Sequence, residues 1–220
     1  MTSRLRVAVV GAGAIGAFYG TMLEKAGVDV SFVARGATLA AIRREGLRIT
    51  GKRTRTIHPL VTDDPAQIGV VDAVLVCTKT FQVAPALEDY SSSLIGPDTV
   101  VVTTQNGVAT PQVVADIVGR RRTCPGVCRE WVKIVEPGVV DDMGGPASIH
   151  IGMLDGSQNP IVDEIRSRFE SVGVTCPPVD DIITELWFKA VNVCAQGAIG
   201  AALEATLGEL LTCHRDLFVR

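Results

Sequence analysis

"RVAVVGAGAIGAFYGTML", residues 6–23, decides the architecture. It opens on a β-branched run, passes through Gly11, Gly13 and Gly16 in the order G-x-G-x-x-G, and continues in a helical pattern that ends at Gly27. Each glycine has its own task in such a unit. Gly11 permits the tight turn out of the strand, Gly13 lets a pyrophosphate approach the backbone, and Gly16 lets helix and strand pack closely. Ala12, Ala14 and Ile15 complete the loop, and the N-terminus of the helix supplies free N–H donors. The triplet alone is a weak signal. Placed directly after a strand and before a helix, it predicts dinucleotide binding. A merely glycine-rich turn is the alternative.

Downstream, strands and helices alternate. "DVSFVARG" at 29–36 reads as a second strand, and "VVDAVLVCTKT" at 70–80 is a continuous apolar run, as in a strand covered on both faces. "FQVAPALEDYSSSL" at 81–94 reads as a helix interrupted by Pro85. "DTVVVTTQNG" at 98–107 is another buried strand ending in a turn, and "PQVVADIVG" at 111–119 is a short helix with proline at its start. This order predicts a doubly wound, mostly parallel α/β sheet of the Rossmann type with right-handed crossovers. From Cys124 to Leu154 the rhythm changes to strands joined by Pro137-Gly138 and Gly144-Gly145-Pro146, which predicts an antiparallel extension of the sheet. "PIVDEIRSRFESVG" at 160–173 is an amphipathic helix. Pro177-Pro178 then breaks the chain, and residues 180–211 carry no strand signal. The expected division is a dinucleotide-binding domain over 1–178 and a helical region over 179–220, with aspartates as its N-cap.

Bulk composition excludes several classes. The 220 residues are 47% hydrophobic and 20% charged with a net charge of −3, so a packed core is expected and a nucleic-acid surface is not. "RRR" at 120–122 is the one basic cluster and reads as a solvated loop or helix end. The six cysteines, 77, 124, 128, 176, 194 and 213, form no C-x-x-C pair and suit thiols in a reducing cytoplasm. His58, His150 and His214 have no metal-ligand spacing, so no metal is expected. Residues 1–23 have the outline of a signal peptide, but the phasing of the glycines argues for the strand–turn–helix unit instead. No other stretch reads as a transmembrane span, and no membrane partner is expected.

Site residues follow from strand ends. The second strand ends in Arg35, with Asp29 at its far end, a pattern suited to the 2′-phosphate of NADPH rather than the ribose hydroxyls of NAD. An ordinary surface arginine is the alternative. Lys79 and Asn106 follow two further strands and point to the same ligand crevice; a solvated lysine and an Asn-Gly turn are their alternatives. In "ELWFKAVNVCAQGAIG", 185–200, Glu185, Lys189, Asn192 and Gln196 fall on one narrow helical stripe. Such a stripe is either a solvent face or the wall of a site.

These motifs together resemble the ketopantoate reductase family: "GAGAIG", Arg35, "CTKTFQV", "QNG", "EPGVV", "IHIG" and "ELWFK". The resemblance implies NADPH-dependent reduction of a 2-oxo acid, 2-dehydropantoate being the family's substrate. It places the proton donor at Lys189, and cofactor and substrate contacts at Lys79 and Asn106. Substrate contacts at Asn192 and Gln196 are expected on the same stripe. The family's pattern has asparagines four and eight residues after the catalytic lysine, where this chain has Val193 and Gly197. The resemblance also implies further helices beyond "HRDLFVR". Residues 179–220 are therefore expected to be the incomplete start of a helical substrate and dimerisation domain. It would pack on the first domain or on another chain, as in a homodimer. Two other readings stay open: a regulatory or impaired NADP(H)-binding relic, and a related dehydrogenase acting on another acid or a sugar phosphate. For the last, Arg215 and Arg220 offer too small a basic cluster.

Overall fold

The computed structural model describes residues 4–218. A six-stranded sheet lies at its centre, with strands β1 (Arg6–Val10), β2 (Asp29–Val33), β5 (Leu60–Thr62), β6 (Val71–Val76), β7 (Ile95–Thr103) and β8 (Thr123–Cys124). Their order is β5-β2-β1-β6-β7-β8, and every pair is parallel. The order reverses between β1 and β6, which opens a crevice at the carboxyl ends of those two strands.

Alternation along β1 explains the unbroken apolar run. Val7 and Val9 join a core cluster on one face, with Phe18 and Tyr19 of α1 (Ala14–Lys25) and Phe169 of α5 (Pro160–Ser171). Ala8 and Val10 join the cluster on the other face, with Val83 and Leu87 of α3 (Thr80–Leu94) and Val114 of α4 (Thr110–Val118). A strand buried on both sides has no polar face to show.

The structure differs from the expectations in four places. Pro85 does not interrupt α3, which runs through it. The ring sits near the helix start, and the carbonyl deprived of its donor belongs to the exposed turn at Phe81. The antiparallel extension is divided. β9 (Gly126–Arg129) and β12 (Ser148–Ile151) form an antiparallel ribbon that continues from the sheet edge, where Leu154 N–H donates to Thr123 O at 2.9 Å. β10 (Val132–Glu136) and β11 (Val139–Asp142) instead leave for a second sheet of order β10-β11-β3-β4, with β3 (Leu47–Gly51) and β4 (Arg55–Ile57). There β11 pairs parallel with β3. α2 (Gly36–Glu45) leads from β2 into that sheet. Finally, α6 (Ile182–Leu203) is, by length and composition alone, long and apolar enough to cross a membrane.

Asp181 caps α6, accepting from the N–H groups of Ile183 and Thr184 at 2.9 and 3.3 Å. Ile182 and Leu186 bury against Val127 of β9. Both charged residues inside the helix are tied to the α/β body. Glu185 pairs with Arg129 at 3.0 Å and His150 at 3.1 Å, and Lys189 Nζ donates to Cys128 O at 2.5 Å. The rest of α6 is largely exposed, with Phe188 and Val191 uncovered. The short helices α7 (Leu207–Thr212) and α8 (Arg215–Phe218) follow.

Candidate active site

The glycine loop sits at the reversal of strand order. Gly11 has φ +103°, and a side chain there would meet the backbone of Cys77 and Thr78 at 3.1 Å. A Cβ on Gly16 would lie 2.0 Å from Gly11 O, so the helix rests directly on the loop. A Cβ on Gly13 would meet no atom within 4 Å. The glycine demanded by packing is Gly16, whereas Gly13 faces open space. Ala17 N–H donates to Gly13 O at 2.8 Å as the first helical bond, which leaves the N–H groups of Ala14, Ile15 and Gly16 without an acceptor inside the helix.

Two clefts meet at Gly13 and Thr78. One, of about 680 Å³, runs over Ala12 to Arg35 and α3. The other, of about 810 Å³, holds Ala14 and Ile15, Lys79, Asn106 and the α6 residues Lys189, Asn192 and Gln196. The structure thus brings Arg35, Lys79, Asn106, Lys189, Asn192 and Gln196 to one continuous groove floored by the glycine loop, whereas Glu185 of the same stripe lies off it, paired with Arg129 and His150. Arg35 precedes α2, lies over the Tyr90 ring at 5.5 Å and approaches Asp89 at 3.8 Å. That ion pair is about two-thirds exposed on both sides, so it is worth little and leaves the guanidinium free to turn toward a ligand. Asn192 and Gln196 are hydrogen-bonded to each other through their amides, and Val193 shares their wall.

The donor set fits a dinucleotide. The space a Gly13 Cβ would occupy is open, Ala14 and Ile15 of the first turn of α1 line the adjoining cleft, and Thr78 Oγ1 is buried without a partner at the meeting point of the clefts. Gln105 braces the crevice, donating from Nε2 to Val76 O and Thr78 O at 2.8 and 2.9 Å.

Several residues of the groove were not singled out in the sequence. Thr78 and Gln105 are two. The most consequential is Glu130, one residue past β9. Its carboxylate is hydrogen-bonded to the Tyr19 hydroxyl, which also lies 2.8 Å from Ser148 O. Burial pushes the Glu130 carboxyl up, against the opposing pull of the Tyr19 hydrogen bond and the Lys189 charge. Burial likewise pushes the Tyr19 phenol well up. The one available signal was a charged pair, Arg129-Glu130, directly after the apolar residues Val127 and Cys128. Arg129 turns to Glu185 and holds that carboxyl below the usual range, with His150 assisting.

A glycine-floored groove at the switch point of a parallel sheet, closed on one side by a lysine-bearing helix, defines an α/β protein of the Rossmann type. Within that class, residues 7–156 match the model of the ketopantoate reductase PanE/ApbA family, and the chain belongs to that family. A 2-dehydropantoate 2-reductase of Pyrococcus horikoshii is 30% identical over 206 residues, covering 94% of this chain and 66% of the relative. The solved 2-dehydropantoate 2-reductase of Geobacter metallireducens GS-15 is 31% identical with a TM-score of 0.85, covering 94% of this chain and 69% of that one. That of Methylococcus capsulatus is 26% identical with a TM-score of 0.82, covering 94% and 68%. The chain therefore spans about two thirds of the length of the curated relatives it matches.

Proposed function

We propose that this chain carries the NADPH-binding and proton-donating parts of a 2-oxo acid reductase, with 2-dehydropantoate as the substrate its family favours. One observation carries the reading: Arg35 at one end of the groove and Lys189 with Asn106 at the other, with the open face of Gly13 between them. The first-turn N–H groups of α1 and Thr78 Oγ1 would hold the pyrophosphate, and Arg35 the 2′-phosphate. When bound, the cofactor supplies hydride to the carbonyl carbon of the substrate. This chain's own task is then at the oxygen. The Lys189 ammonium stabilises the negative charge that grows there and delivers a proton. Lys79 and Asn106 offer the substrate or the ribose a cation and an amide. Asn192 and Gln196 present theirs from the same helix as Lys189, and Val193 adds an apolar surface.

The test pairs NADPH binding, followed by fluorescence, with NADPH oxidation over a panel of 2-oxo acids that includes 2-dehydropantoate. Lys189→Ala is expected to lower turnover by about 10²–10⁴-fold and to leave NADPH binding nearly unchanged. Persisting turnover would put the donor elsewhere.

A further inference from the structure

A smaller pocket of about 80 Å³ opens beside the large cleft, between α6 and the loop that follows β7. The two cavities share Gln105, Asn106, Lys189 and Val193, so Lys189 and Asn106 stand where one passes into the other. The small one is lined by Leu186 and Val127, which bury against each other, and by Ala190, Val193 and Cys194. Its polar groups are largely spent. Gln105 donates from Nε2 to Val76 O and Thr78 O and accepts from Thr104 N–H at 3.1 Å. Lys189 Nζ donates one N–H to Cys128 O, and the reading above gives another to the reacting oxygen. That leaves the Asn106 amide, which the same reading gives to the substrate or the ribose.

The orientation of a 2-oxo acid in this place follows from what each of its ends needs. The ketone oxygen has to come within hydrogen-bond reach of Lys189 Nζ. The carboxylate and the alkyl group then lie on opposite sides of that carbonyl. A carboxylate in the small pocket would be surrounded by aliphatic side chains, at a heavy desolvation cost. The large cleft offers it Lys79 and the amides of Asn192 and Gln196. The alkyl group is therefore the part that enters the small pocket. A volume of about 80 Å³ matches two or three waters of liquid at ~30 Å³ each, which suits a compact branched group and not an extended chain. A hydroxyl on that group would leave water for a wall with no hydrogen bond to give back.

We propose that the pocket between α6 and Asn106 selects the substrate's side chain, and that this chain prefers 2-oxo acids bearing a compact, branched, purely aliphatic group over hydroxylated ones such as 2-dehydropantoate. This rests on the groove being a 2-oxo acid reductase site with Lys189 as its proton donor. Hydride and proton transfer are those given above and do not depend on the side chain. Val193 is the specificity-determining residue. It stands one turn beyond Lys189 and lines both cavities, so it presents aliphatic surface where the reacting carbon meets its substituent.

The test compares 2-dehydropantoate with 3,3-dimethyl-2-oxobutanoate, which differ by one hydroxyl on the branched group. With NADPH and the full chain, kcat/KM is expected to be about 10–100-fold higher for 3,3-dimethyl-2-oxobutanoate, because an aliphatic pocket rejects an added hydroxyl by no more than about 10². A site built to hydrogen-bond that hydroxyl would show the reverse, by about 10⁴ or more. Val193→Asn, which supplies an amide, is expected to narrow the wild-type ratio by about tenfold or more. Ala190→Leu, which fills the pocket, should lower kcat/KM for 3,3-dimethyl-2-oxobutanoate by about tenfold or more relative to 2-oxopropanoate, whose lone methyl needs no pocket. Thermal unfolding and NADPH titration check that both variants fold. Calorimetry with each acid, in the presence of excess NADP⁺ so that nothing turns over, is expected to show tighter binding of 3,3-dimethyl-2-oxobutanoate and its weakening in Ala190→Leu. Equal or higher kcat/KM for 2-dehydropantoate in the wild type would overturn the proposal. So would Ala190→Leu that slows 2-oxopropanoate as much as the branched acid. Failure of every 2-oxo acid to turn over would defeat the reductase reading; calorimetry then decides the pocket separately, and equal affinity for the two acids, or none for either, would overturn it.

Discussion

Replacing Gly13 and Gly16 by alanine, one at a time, separates binding from folding within a single loop. At Gly16 the new methyl would stand 2.0 Å from Gly11 O, 2.9 Å from Val9 Cγ1 and 3.0 Å from Cys77 Cβ. Two of these three partners are backbone or stem atoms of the central strands and their loop, which cannot swing aside. Helix α1 would have to lift from the sheet by roughly an ångström, losing contacts along Phe18, Tyr19 and Met22. Such overpacking costs about 3 kcal/mol, at the upper end of the usual range. For a chain of this size that lowers Tm by about 6–12 °C. At Gly13 the methyl meets no atom within 4 Å, and the residue already has extended backbone, φ −77° and ψ −170°. Loss of the glycine N-cap preference costs about 0.5–1 kcal/mol, so Tm should fall by no more than about 4 °C. The same methyl projects into the space where a pyrophosphate would lie, and NADPH affinity is expected to fall by about 100-fold or more. Thermal unfolding and fluorescence titration on the two variants read both quantities. Gly13→Ala that binds NADPH normally, or that unfolds as early as Gly16→Ala, would refute the assignment of the groove.

Other predictions follow from particular contacts. Arg35→Ala should weaken NADPH by roughly 10–100-fold, the worth of about 1.5–3 kcal/mol for a charged hydrogen bond, and leave NADH affinity and Tm almost unchanged; equal loss for both cofactors would show that Arg35 does not contact the 2′-phosphate. Glu185 is held below the usual carboxylate range by Arg129 and His150, so its contribution to stability is present above the unfolded value near ~4.3 and disappears as pH falls through the lower folded value. Denaturation of Glu185→Gln against wild type should therefore show a deficit at neutral pH that closes in acid. Glu130 has the opposite sign: its carboxyl is pushed up, so ionisation of the unfolded chain costs the fold stability as pH rises above ~4.3. Glu130→Gln should gain stability relative to wild type with rising pH over that window, and a pH-independent difference would contradict it. Cys124 and Cys176 have thiols pushed up to about 12 by burial, whereas Cys194 and Cys213 are exposed. A thiol reagent should thus modify the latter two rapidly in the native protein and the buried ones only after unfolding.

The sequence by itself determined the central sheet and its ligand loop. The three glycines are phased by local geometry, and the doubly apolar runs at 70–80 and 98–107 announce strands covered on both faces. The stripe of Lys189, Asn192 and Gln196 is likewise a matter of helical period, although only the docked helix shows that it walls the groove and is not merely wet. What the tertiary structure decided is which strands meet. Between Gly36 and Val70 the sequence offers no motif read above, and there lie α2, β3, β4 and β5. β11 then takes β3 as its parallel partner across some ninety residues, so the strand pattern at 128–143 fixes a pleat but not a neighbour. Glu130 was illegible for the same reason. A glutamate after a strand is ordinary in one dimension; it becomes a buried carboxyl with a raised pKa only when α1 brings the Tyr19 hydroxyl and α6 brings Lys189 around it. Periodicity records how much of each residue is covered, while the identity of the covering group, which sets its chemistry, is a property of long-range packing.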